Sequence, residues 1–108
     1  MMNYIKRKIP VQELLAGLAE EAAELAQAAL KLRRVFNGIN PTPVTEEDAM
    51  ERLYEEIADV KLYVSLLDLN PQYISEVMGH KLSRWRDRLE ERDKANEQEA
   101  SKKTNPGG

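Results

Sequence analysis

Apolar residues recurring every three or four positions, in three stretches separated by helix-ending signals, limit this chain to helices packed along their apolar stripes. In the first stretch Leu14, Leu18, Leu25, Ala28, Leu32 and Val35 keep a 4-3 rhythm, and position 21, which would complete it, holds Glu21. Pro10 suits an opening turn and Asn37-Gly38 a left-handed stop, so the spacing predicts a helix from about Pro10 to Val35. Two prolines and a glycine between Asn37 and Val44 forbid its continuation. Thr45, with Asp48 where a capping box places an acid, opens a second helix whose stripe is Met50, Leu53, Ile57, Val60, Val64 and Leu67. Asn70-Pro71 reads as an N-cap followed by a first-turn proline, and Ile74, Met78, Leu82, Trp85 and Leu89 form the third apolar face. The expected fold is all-α, with three long antiparallel helices. That is one short of a four-helix bundle, so a second copy is expected to supply the missing faces.

A chain of 108 residues has room for one small core. The expected domain is 1–93, and DKANEQEASKKTNPGG, polar and aperiodic, places a disordered tail at 94–108. With 19 acidic and 16 basic residues there is no basic field of the kind that drives binding to a nucleic-acid polymer. Cysteine is absent, which removes disulfides and thiolate chemistry together. Lys6, Arg7 and Lys8 are followed by Gln12 and Glu13 before any signal-peptide core forms, and no apolar run approaches the roughly 20 residues of a membrane span. The expectation is a cytoplasmic protein without a membrane partner.

The acids carry the chemical signal. Glu21 and Glu24 lie three apart, and an ideal wheel puts Glu21 only about 20° from the Leu14 and Leu32 direction. Glu56 and Asp59 repeat the arrangement, with Glu56 about 20° off the line of Ala49 and Leu67. Antiparallel packing of the two stripes would gather four carboxylates at one rim, where they repel one another unless a cation is present. Mg²⁺, a hard ion taking oxygen ligands, answers that need. The plainer reading is solvated helix surface, which belongs opposite the core stripe rather than at its border. A di-iron centre wants Glu-x-x-His, which the sequence lacks; His80, four after Glu76, suits a surface pair.

Lys81, Arg84 and Arg88 border the third stripe. Two roles are open to them, binding phosphate oxygens or covering the core with their stems and pairing at the surface. Tyr63 and Trp85 have the faces to stack on a base, and equally the bulk to fill a core.

ELLAGLAEEAAELAQAALK followed by LYEEIADVKLYVSLL resembles the MazG-like, all-α nucleoside triphosphate pyrophosphohydrolases, a superfamily defined by an ExxE and an ExxD pair. The resemblance spans about residues 11 to 90 and implies a four-helix-bundle-like fold completed by homodimer or homotetramer formation. It implies Glu21, Glu24, Glu56 and Asp59 as Mg²⁺ ligands, with Lys81 and Arg84 where the family carries phosphate-binding cations. The implied reaction is hydrolysis of a noncanonical or deoxynucleoside triphosphate between the α and β phosphates, giving a monophosphate and pyrophosphate. Glu21, at the apolar edge where a raised pKa is favoured, is the expected catalytic base. The Glu24 to Glu56 separation is longer than the usual pattern, the excess lying in NGINPTPVTEED. The alternative function is a non-catalytic helical module of the same fold that binds nucleotides or a protein.

Overall fold

The computed structural model describes residues 1–38 and 43–103, so the middle of the connector and the end of the polar tail lie outside the described residues. The elements in chain order are α1 (Met2–Lys8), α2 (Val11–Asn37), α3 (Glu46–Leu66) and α4 (Pro71–Lys103). They fall into two units, Met1–Leu69 and Asn70 onward.

The three helices expected from periodicity start near the predicted signals, and the first two of them also stop there. Gly38 ends α2 at φ 62°, in the left-handed region where only glycine sits without a Cβ penalty, and its N–H donates to the Arg34 carbonyl. Thr45 Oγ1 accepts from the Asp48 N–H at 3.1 Å and caps α3. Asn70 Oδ1 accepts from the N–H groups of Gln72 and Tyr73 at 3.0 and 3.1 Å, satisfying two orphan donors at the start of α4.

Two differences concern the helix inventory. The structure has four helices rather than three among the described residues, because Met2–Lys8 forms a separate helix of about two turns before Pro10. That helix buries no residue and so has no stripe to betray it. It is held by Lys6, whose Nζ donates to Asp68 Oδ1 at 2.5 Å, and by Lys8 lying 5.6 Å from the Tyr4 ring centre. Its last turn is basic, which suits the negative end of a helix dipole. The other difference is α4, expected to fade near Arg92 but helical to Lys103. Residues 93–103 are mostly Lys, Glu, Gln and Ala, good helix formers, and extending a formed helix costs far less than nucleating one. Arg86 Nε donates to Glu90 Oε1 at 3.0 Å in the i, i+4 register that supports such a surface. Residues 104–108 of the expected tail are outside the described residues.

Within the first unit α2 packs on α3, and their directions follow from who meets whom. Gly17, early in α2, faces Tyr63, late in α3, whereas Ala28 and Lys31 share a cavity wall with Asp48 and Ala49. The pair is antiparallel. Its core is Leu14, Ala28 and Leu32 against Ala49 and Leu66. On α3 the buried line is Ala49, Glu56 and Leu66, rotated from the expected stripe; Met50, Leu53, Val60, Val64 and Leu67 are half-buried and Ile57 is exposed. Small Ala49 lets the backbones approach, and the approach turns that face inward.

On α4 the row Ile74, Met78, Leu82, Trp85 and Leu89 is exposed, from 37% at Ile74 to 61% at Trp85. Among the described residues no helix is long and apolar enough to cross a membrane.

Candidate metal centre

The rotation of α3 has a chemical effect, since it carries Glu56 into the interface with α2. Glu56 is 2% exposed, and it is the one buried charged side chain among the described residues. Its Oε1 accepts from Arg52 Nη2 at 2.8 Å, one turn earlier on the same helix, while its Oε2 is buried without a partner. Opposite it on α2 stands Glu21, half-buried, whose Oε2 is likewise buried and unpartnered. Glu24, one turn on and exposed, completes a triplet whose carboxylate oxygens lie within 4.8 Å of one another.

Three of the four acids read from the sequence are thus brought together. Asp59, half-buried on α3, is outside that triplet, but its charge reaches Glu21. The Glu21 carboxyl is pushed up from its ordinary 4.5 to about 7, first by burial, then by the charges of Glu24 and Asp59, then by the closeness and charge of the Glu56 carboxyl. A protein without a function for such a cluster would be expected to pair or dilute it, because an unsatisfied buried carboxylate oxygen costs stability. The donor set fits a hard divalent cation: all oxygen, from two helices, with a buried, unpartnered oxygen on both Glu21 and Glu56.

The raised Glu21 pKa makes metal-free stability depend on pH in a definite direction. Between 4.5 and about 7 the folded chain holds a proton that the unfolded chain has released. The stabilising contribution is complete below the unfolded value and is lost as pH rises through the folded one. The melting temperature in EDTA is therefore expected to fall between about pH 5 and about pH 8, with a shallower fall in Glu21→Gln. Equal slopes in the two proteins would remove Glu21 as the cause. Since cations compete with that proton, stabilisation by Mg²⁺ should grow over the same window.

The remaining predicted residues divide between the units. Tyr63 lies in the α2–α3 interface, its ring end against Gly17, where an added Cβ would collide with it. Trp85, 61% exposed, lines a hollow of about 250 Å³ on α4 with Lys81, Arg84 and Arg88. The sequence reading missed Arg52, although its i, i+4 relation to Glu56 was visible, and missed a cavity of about 380 Å³ between late α2 and early α3. Glu24 and Arg52 belong to both the cavity wall and the acidic centre. Compared with protein-family models, with curated proteins and with solved structures, the chain matches none of them.

Proposed function

We propose that this chain is a Mg²⁺-dependent nucleoside triphosphate pyrophosphohydrolase built like the MazG-like superfamily. The observation that carries the reading is a buried, unpartnered oxygen on each of two carboxylates, Glu21 and Glu56, that come together from two helices with Glu24. Glu21, Glu24 and Glu56 would hold the ion, and the superfamily resemblance adds Asp59, whose charge reaches Glu21. Such an ion supplies neutralisation of phosphate charge and a lowered pKa for the attacking water.

The chain's own part in the reaction is positioning and proton transfer. Water attacks the α phosphorus, the bond to the bridging oxygen breaks, and pyrophosphate leaves with the bond's electron pair. Glu21 would accept the water proton on whichever of its oxygens the ion leaves free, and burial, which raises its pKa to about 7 in the metal-free chain, suits it to that part. The low exposure of Glu56 keeps competing water out and strengthens every charge interaction at the centre. The exposed apolar row of α4 supports association of further copies into the bundle that the superfamily resemblance implies, as a homodimer or homotetramer.

Release of pyrophosphate from a panel of canonical and modified nucleoside triphosphates, with phosphoribosyl-ATP included, tests the reading. Release in Mg²⁺ and none in EDTA is expected. Silence across the panel from protein shown by circular dichroism to be helical would leave a non-catalytic nucleotide- or protein-binding module.

A further inference from the structure

The cavity beside the acidic centre has a composition that the metal alone does not explain. Glu24, Gln27 and Lys31 line it from α2, and Asp48, Ala49 and Arg52 from α3. Its volume of about 380 Å³ falls at the lower end of the ~300–1,000 Å³ typical of small-molecule sites. The charges in its wall are balanced as they stand, two acids against two cations. Neutralising Glu24 and drawing on the charge of Glu56 at the metal centre leaves the wall with Lys31 and Arg52 against Asp48, so filling the centre shifts the cavity toward positive potential. The positive end of the α3 dipole lies at Asp48 and adds to that field.

Arg52 is held in an unusual way for a surface residue. Its side chain is 56% exposed, yet Nη2 sits 2.8 Å from Glu56 Oε1 and Nη1 lies 3.8 Å from Glu55 Oε2. The Glu56 carboxylate thus has one oxygen on the guanidinium and the other buried without a partner, in a group that also belongs to the acidic centre. One carboxylate therefore fixes the distance between a cation-binding point and a fork of N–H donors. That is the arrangement needed to hold two neighbouring parts of a polyphosphate at once.

We propose that Arg52, assisted by Lys31, grips the phosphate tail of the substrate in this cavity, with Glu56 as the residue that positions the guanidinium. The inference rests on the pyrophosphohydrolase reading and moves its phosphate contacts from α4 to the α2–α3 cleft. The hollow formed by Lys81, Arg84, Trp85 and Arg88 has no carboxylate in its wall and so lacks this coupling to a cation.

Inorganic tripolyphosphate, titrated with Mg²⁺ present, is the direct probe. Calorimetry should show Arg52→Gln weakening its binding by roughly 10- to 100-fold, the range for losing a charge-assisted pair of hydrogen bonds, with Lys31→Gln weaker in effect. Arg52→Lys should fall between, since it keeps the charge and loses the fork. Binding of Mn²⁺ alone, followed by electron paramagnetic resonance, should survive in Arg52→Gln, which a merely structural role for Arg52 in holding Glu56 would not allow. Amide shifts in the wild-type chain should centre on residues 27–31 and 48–52, a readout that needs no variant to fold. Shifts centred on 81–88, an unchanged affinity in Arg52→Gln, or no binding by the wild type would each overturn the proposal. Pyrophosphate release undiminished in Arg52→Gln would discard Arg52 and keep the catalytic reading. Tripolyphosphate bound at Arg52 by a chain that hydrolyses no triphosphate would do the reverse.

Discussion

Glu56→Gln is expected to lower Mg²⁺-dependent pyrophosphate release on the order of 10²–10³-fold while leaving the metal-free protein as stable as wild type or more so. Both halves follow from the same environment. The substitution keeps the volume of a side chain that is 2% exposed, and it removes a negative charge that faces Glu21 and Glu24. Its new amide N–H group has an acceptor at hand in Glu21, while Arg52, already 56% exposed, turns to solvent at little cost. What disappears is an oxygen of the proposed cation site. Opposite movements of activity and stability are the mark of a group kept for function at the expense of the fold. Thermal melts in EDTA beside turnover in Mg²⁺ measure both, and a large loss of stability in EDTA would reassign Glu56 to the architecture.

Gly17→Val is expected to destabilise the first unit by about 1–3 kcal/mol, the range for overpacking a well-fitted contact. Helix propensity alone predicts the opposite sign, since glycine inside a helix costs roughly 1 kcal/mol relative to alanine. Contact with the Tyr63 ring decides against propensity, because even a single Cβ at position 17 meets the end of that ring. Tyr63→Leu in the same chain should recover much of the loss, a coupling of about 0.5–3 kcal/mol by denaturant titration. Small domains have only about 5–15 kcal/mol in total, so a loss at the upper end would be severe. The pair also separates the two roles open to Tyr63. A ring used for stacking on a base would raise KM when replaced and show no coupling to Gly17.

How far the sequence carried depends on whether a feature leaves a local mark. Gly38, Thr45 and Asn70 announce helix ends through their own backbone chemistry, and the helices end or begin beside them. Leu14, Ala28 and Leu32 lie on the buried face of α2 as their spacing implies. The short helix Met2–Lys8 left no mark, because it buries nothing and is tied through Asp68, sixty-two residues away. The full length of α4 was hidden by its polarity, which argues against a packed face but not against a helix rich in Lys, Glu and Ala. At the centre, Glu21, Glu24 and Glu56 were legible from their place at the edge of the stripes. The division of Glu56 between Arg52 and a free oxygen was not, since that depends on how α3 turns its Ala49 face toward α2.

The Gly17–Tyr63 contact also bears on how a chain of this kind can vary. Antiparallel helices need a fixed axial register, and here a steric lock at one end of the pair sets it, while the connector joins the other end. The acids sit between the two. Lengthening the connector therefore need not shift Glu21 against Glu56, and each doubling of a flexible loop costs only about 0.6 kcal/mol in closure entropy. The number of residues separating the two acidic motifs is then nearly neutral to drift, whereas the three-residue step inside each motif, fixed by the helical repeat, is not.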